Sequence, residues 1–191
     1  MDRLVTFGCS FTYGTALEEQ TDAWPYVAGK ALSKEVINKG VPGASNLRIL
    51  CEVLKFDFKD NDVVVIMWSM PLRDLQFRNN GYQQIGVWSE GPHLDKMLID
   101  GATEDYTKKT WVYMQHADLY LQTKNVKYIH YPATLDIMKY QLDFVNINNL
   151  FLTRTEKIDD ATDKQHPGPK SHKLQADEIV RILINEEIHY G

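Results

Sequence analysis

Along the first 70 residues, apolar runs too short to be helices alternate with stretches in which apolar positions recur every three or four residues. Leu4-Val5-Thr6-Phe7 is a strand-length run closed by Gly8. From Asp22 to Leu32 the residues Ala23, Tyr26, Val27 and Ala31 fall at helical spacing, and Pro25 must sit in the first turn of that helix. Glu35-Val36-Ile37-Asn38 predicts a second strand, ended by Gly40-Val41-Pro42-Gly43. Ser45 or Asn46 then caps a helix whose apolar face is Leu47, Leu50, Cys51 and Leu54. Asp60-Asn61-Asp62 marks a turn, and Val63 to Trp68 is a continuous apolar run, as expected of a strand covered on both faces by helices. The repeated strand, turn and helix predict a parallel sheet.

From Pro71 to Gly101 the pattern lapses into polar, Gly-containing sequence with isolated aromatics (Phe77, Tyr82, Trp88). The segment is too long for an ordinary loop and reads as an insertion, either a small hairpin or a functional element near the site. Helical periodicity returns from Thr103 to Thr123, and Val126 to Tyr131 is a fourth strand stopped by Pro132. Leu135 to Leu152 fits helix and strand equally, whereas Gly168-Pro169 opens a last helix with the stripe Ala176, Ile179, Val180 and Leu183. The fold class is α/β, a three-layer α/β/α sandwich around a central parallel sheet. Residues 1–191 are expected to form a single domain, with 71–101 as its insertion.

Composition removes several functions. With 21 Lys+Arg against 26 Asp+Glu, a net charge of -5, the chain has no general attraction for nucleic acid or an anionic membrane. No apolar stretch is long enough for a membrane span, and the N-terminal apolar run is too short for a secretory signal. Cys9 and Cys51 show no CxxC or zinc-ligand spacing, and two free thiols suit a reducing cytoplasm.

In an open parallel sheet, ligands bind beyond the carboxyl ends of the strands. Three such regions carry candidate chemistry. Gly8-Cys9-Ser10 leaves the first strand and presents a hydroxyl, which becomes a nucleophile only with a base in reach. It lacks the second Gly of a GxSxG elbow, and no GxxxxGK[ST] phosphate loop is present. The bland alternative is a plain turn. Asp163-Lys164-Gln165-His166-Pro167 precedes the last helix; a carboxylate three residues from an imidazole can fix its tautomer and leave Nε2 to take a proton. His172 lacks such a carboxylate and is expected on the helix surface. The third region is Asn38 to Asn46, whose glycines permit close backbone approach and whose free N–H groups suit a developing oxyanion. His130 reads as a core or rim histidine, and His93 and His116 show no ligand spacing. Arg73 either meets an anionic substrate or, the more ordinary role, pairs with Asp74 or another carboxylate.

Together, Gly8-Cys9-Ser10, Asn38 to Gly43 and Asp163 to Pro167 resemble, in order and placement, the motif blocks of the SGNH/GDSL hydrolase family. The similarity extends to Ala23-Trp24-Pro25 and to His166 through His172, and leaves the stretch from Pro71 to Thr123 unmatched. It implies a flavodoxin-like sheet and a serine esterase acting through an acyl-enzyme, with no cofactor or metal. Ser10 would be nucleophile, His166 base and then acid, and Asp163 the orienting carboxylate. The N–H groups of Ser10 and Gly43 would be oxyanion donors, with a small-molecule or carbohydrate ester as substrate. Where the family has Gly-x-Asn-Asp after the third strand, this chain has Trp68-Ser69-Met70-Pro71, so Ser69 or Asn46 would have to supply the third donor. An O-acyltransferase on a sugar or other alcohol, or a non-catalytic binding module keeping the fold, are the alternatives.

Overall fold

The computed structural model of the chain describes residues 2–78, 81–86, 88–90, 102–153 and 155–185. The four apolar runs form parallel strands β1 (Arg3–Gly8), β2 (Glu35–Gly40), β3 (Val63–Trp68) and, beyond the hairpin β4 (Arg73–Arg78) and β5 (Gly81–Gly86), β6 (Lys127–Pro132). Their order across the sheet is β2-β1-β3-β6. β1 is in register with β2 from Arg3 opposite Glu35 to Gly8 opposite Gly40, and β3 with β6 from Val63 opposite Lys127 to Trp68 opposite Pro132. All four carboxyl ends therefore reach one edge of the molecule.

The helices are α1 (Ser10–Tyr13), α2 (Trp24–Ala31), α3 (Asn46–Lys55), α4 (Ala102–Leu121) and α5 (Pro169–Asn185). Side chains alternate across a pleated strand, and the core divides accordingly. Val5, Phe7, Val64, Ile66 and Trp68 pack with Ile49 and Val53 of α3 and with Trp111, Met114 and Leu121 of α4. Leu4, Val65, Met67, Ile129 and Tyr131 pack on the other face with Trp24 and Ala28 of α2 and with Ala176 and Ile179 of α5. Every residue of β3 is buried, which accounts for its unbroken apolar run. This is the expected three-layer sandwich. Among the described residues no helix is long and apolar enough to cross a membrane.

Two stretches resolve the sequence ambiguities. The segment after Pro71 contains the hairpin β4–β5, antiparallel from Arg73 opposite Gly86 to Arg78 opposite Gly81. Residues 91–101, including His93, lie outside the described residues. Leu135 to Leu152 is neither helix nor strand throughout: Leu135–Tyr140 is a 3-10 turn, and the chain later runs beside β6, with His130 N–H donating to Asn149 O at 2.9 Å and Phe151 N–H to His130 O at 2.9 Å.

His172 departs from expectation. It is not on the helix surface but 1% exposed, with Nδ1 accepting from the N–H of Trp24 at 3.2 Å. The N-cap of α2 is Ala23, which has no side-chain acceptor, so a residue 148 positions away satisfies this orphan donor and ties α2 to α5. Its burial follows from the stripe itself, because His172, Ala176, Ile179 and Leu183 share one helical face. Burial holds His172 neutral, with its pKa pushed down to about 4, and lowers that of the fully buried His130 as well.

An unfolded histidine takes up its proton near pH 6.5, whereas the folded His172 resists it until about pH 4. This contribution to stability is complete above pH 6.5 and disappears as the pH falls through that window. We expect urea denaturation to show a decline of up to about 3 kcal/mol from His172 between pH 7 and pH 4, with a smaller decline in His172→Gln. An unchanged pH slope in that variant would contradict the assignment.

Candidate active site

β1 ends at Gly8, where the chain must pass under α1: a Cβ there would collide with the side chain of Thr12 and lie 3.1 Å from Met67 O. The turn of α1 is closed by Thr12 and Tyr13 N–H donating to Cys9 O at 3.0 and 2.9 Å, and it stops at Gly14, left-handed with φ 86°. Ser10 is the first residue of this turn and 4% exposed. At that position its N–H has no acceptor within the helix. Among the described residues, neither this N–H nor Oγ makes a hydrogen bond to the protein.

The glycine block lies directly against α1. A Cβ on Gly40 would approach Thr12 C and Tyr13 Cα to 2.8 Å, so only glycine permits this contact. Asn38 fastens the two together: Nδ2 donates to Thr12 O at 2.9 Å while Oδ1 accepts from Gly40 N–H at 2.9 Å. Val41 N–H donates to Gly8 O at 2.9 Å, and Gly43 then turns left-handed at φ 73° with its N–H given to no described residue. Ser45 caps α3, its Oγ accepting from Arg48 N–H at 3.2 Å.

Asn46 is therefore not the cap, and its amide is engaged within the protein. Its Nδ2 donates to Ser69 O at 3.0 Å and to Thr110 Oγ1 at 2.9 Å, and its Oδ1 accepts from Ser69 N–H at 2.7 Å. One amide hydrogen and the amide oxygen hold Ser69 just beyond β3, and the other hydrogen holds Thr110 of α4, so the expected role of Asn46 as an oxyanion donor would require it to give up one of these bonds. Ser69 is fully buried, and among the described residues its hydroxyl has no partner.

The Asp163–His166 turn behaves as its spacing predicts. Asp163 Oδ2 meets His166 Nδ1 at 2.5 Å, and Oδ1 accepts from the N–H groups of Gln165 and His166, both at 3.0 Å. Those backbone donors, with the imidazole, hold the Asp163 carboxyl down at about 2. Lys164 takes the left-handed conformation this tight turn demands, with φ 57°. The loop is anchored at its base by Asp159, whose carboxylate accepts from Lys170 N–H and Ser171 N–H at 2.8 Å each and from Ser171 Oγ at 2.5 Å. Toward Ser10, Thr162 donates through N–H and Oγ1 to Ala16 O at 3.2 and 2.9 Å, and Phe11 packs edge-on against the His166 ring with centroids 5.9 Å apart.

A cavity of about 490 Å³ opens between the ends of β3 and β6, with Phe11 and Pro167, chain neighbours of Ser10 and His166, in its lining. Ser10 and His166 are not themselves among the lining residues. The hairpin reaches the glycine block from the other direction: Gln84 Nε2 donates to Pro42 O at 3.1 Å, and a Cβ on Gly43 would lie 3.3 Å from Trp88 Cζ2. Arg73 lies over the Trp88 ring at 5.1 Å and does not pair with Asp74, which accepts instead from Leu75 N–H at 2.7 Å and Tyr106 OH at 3.3 Å. The side chain of Tyr82 lies outside the described residues, Phe77 is exposed and so is His116.

His130 is a core histidine, as expected: Nδ1 accepts from Trp68 Nε1–H at 3.0 Å. Nε2 lies 3.4 Å from Asp118 Oδ1, and this buried carboxylate also accepts from Tyr128 OH at 3.0 Å and Gln122 Nε2 at 2.6 Å. Asp118 is not among the residues anticipated from sequence, although its place on the apolar face of α4 is the available signal.

A parallel sheet flanked by helices is the fold this chain shares with solved structures of GDSL/SGNH lipolytic proteins and carbohydrate esterases. A lipolytic protein of the G-D-S-L family from Desulfitobacterium hafniense DCB-2 superposes with a TM-score of 0.56 at 14% identity, covering 95% of this chain and 99% of its own. The psychrotrophic esterase EstA from Pseudoalteromonas sp. gives 0.55 at 13%, covering 97% of this chain and 100% of its own. An acetyl xylan esterase from the rumen bacterium Butyrivibrio proteoclasticus gives 0.60 at 14% over 96% of this chain and 64% of its own, so the chain spans under two thirds of that longer protein. The sequence matches no protein-family model and no curated relative.

Asp159 generates a test of how the loop is held. Asp159→Ala removes three hydrogen bonds at the start of α5 and should cost about 2 kcal/mol in urea denaturation, with earlier proteolytic cleavage within residues 158–168. Unchanged cleavage would show that the loop is held by other contacts.

Proposed function

We propose that the protein is a serine esterase that hydrolyses a small-molecule or carbohydrate ester through an acyl-enzyme. The observation that carries this reading is the Asp163–His166 pair at 2.5 Å, on a loop tied to the Ser10 segment through Thr162 and Phe11. Ser10 Oγ attacks the ester carbonyl carbon and passes its proton to His166 Nε2, while the negative oxygen meets the N–H groups of Ser10 and Gly43. Collapse breaks the carbon–oxygen bond to the alcohol, which leaves with the proton from His166. Water then attacks the acyl-serine, His166 takes its proton and returns it to Ser10, and the acid departs. Asp163 stabilises the imidazolium at each stage.

Among the described residues Ser10 Oγ has no hydrogen bond, so this mechanism requires the bond to His166 Nε2 to close when substrate enters, as catalytic bonds in empty sites commonly do. Of the two candidate third donors, Ser69 is the one whose hydroxyl proton goes to no described residue. No cofactor enters the reaction, an acyltransferase would differ only in an alcohol replacing water, and the unpaired Cys9 and Cys51 suit the cytoplasm.

Labelling with a fluorophosphonate probe, followed by mass spectrometry of the modified peptide, tests the reading. Probe on Ser10 is expected, abolished in Ser10→Ala and His166→Ala and slowed by about 10³–10⁴ in Asp163→Asn. Ser69→Ala should slow ester turnover by about tenfold or more if its hydroxyl meets the oxyanion, and leave it unchanged otherwise. Folded protein that takes no label at Ser10 would favour the non-catalytic binding module.

A further inference from the structure

Resting on the esterase reading, the geometry points to Arg73 as a specificity-determining residue that receives a carboxylate carried by the ester substrate, in the cavity between the ends of β3 and β6. Arg73 is half-buried in the lining of that cavity, shortly after β3. Among the described residues it forms no ion pair; its polar contact is a single long bond from Nη1 to Ala44 O at 3.4 Å. A guanidinium has five N–H donors in a rigid fork, so most of this one's capacity is unused. The neighbouring acid that would ordinarily neutralise it, Asp74, is turned to Tyr106 and to the N–H of Leu75.

The other cations lining the cavity differ in this respect: Lys139 pairs with Asp136 at 2.8 Å, and Lys157 is paired with Asp160. Glu156 and Asp136 line the cavity too, and Asp136 is matched by Lys139, so Arg73 is the lining cation that no described carboxylate matches. Trp88 holds the guanidinium over its ring at 5.1 Å and itself packs on Gly43, so one indole links the cation to the glycine proposed as oxyanion donor. Phe11 and Pro167 bring the same cavity to the neighbours of Ser10 and His166. A guanidinium paired with no described carboxylate and clamped by an aromatic ring in such a cavity is suited to bidentate capture of a carboxylate.

The test presents three esters to the full chain: 4-nitrophenyl butyrate, which is neutral; mono-4-nitrophenyl glutarate, with a carboxylate in the acyl part; and 4-acetoxybenzoate, with a carboxylate in the leaving group. The ratio of kcat/KM for a charged ester to that for the neutral one should fall about 10–100-fold in Arg73→Met and recover partly in Arg73→Lys. Whichever charged ester responds identifies the side of the ester bond that faces Arg73. A ratio unaltered for both in Arg73→Met overturns the proposal. Isothermal titration of Ser10→Ala protein with all three esters separates this claim from the catalytic one. Arg73-dependent binding of either charged ester without any turnover in the unmutated protein would sink the esterase and keep the carboxylate site. Binding of both charged esters no tighter than that of the butyrate would overturn the site whatever the turnover.

Discussion

The approach of Gly40 to the backbone of Thr12 and Tyr13 fixes the spacing on which the site depends. Parallel pairing brings Gly8 and Gly40 to the same level, and the absence of a side chain at Gly40 lets the end of β2 lie against the turn that begins with Ser10. Asn38 converts that contact into a specific one by bonding to both partners. Two N–H groups that no described residue accepts, on Ser10 and Gly43, are left at the same sheet edge. A side chain at Gly40 would force these segments apart, and preorganised donors lose most of their value when displaced by even an ångström.

The third strand end is organised by a different logic. Asn46, Ser69 and Thr110 form a buried network that joins α3, the end of β3 and α4, and the Asn46 amide is engaged in holding the chain just beyond Trp68. The segment beyond β3 is then free to differ, and here it is a hairpin that lays Trp88 on Gly43 and Arg73 on Trp88. On the proposed esterase reading, substrate contacts come from the hairpin and the cavity, and the reacting groups from the two ends of the chain.

Much of this is legible in the sequence wherever local rules suffice. The continuous run Val63 to Trp68 announces a strand buried on both faces, and the Asp163 to His166 spacing announces a carboxylate on an imidazole. The features that escape are set by contacts distant in sequence. A search for a nearby carboxylate puts His172 on the surface, whereas the helical stripe puts it in the core as an acceptor for α2. Arg73 and Asp74 are adjacent in sequence, yet alternate sides of a strand send them to different partners. Asn46 could not be judged a donor or a brace without knowing that Ser69 and Thr110 converge on it.

The central claim is that Ser10, His166 and the two backbone N–H groups act on one reacting centre. A crystal structure of the protein after reaction with a methyl fluorophosphonate tests it directly. The expected result is phosphorus bonded to Ser10 Oγ, the phosphonyl oxygen about 3 Å from the nitrogens of Ser10 and Gly43, and His166 Nε2 within about 3.2 Å of an oxygen on phosphorus. An adduct whose phosphonyl oxygen points away from both N–H groups, or a soaked protein with Ser10 unmodified, would contradict it.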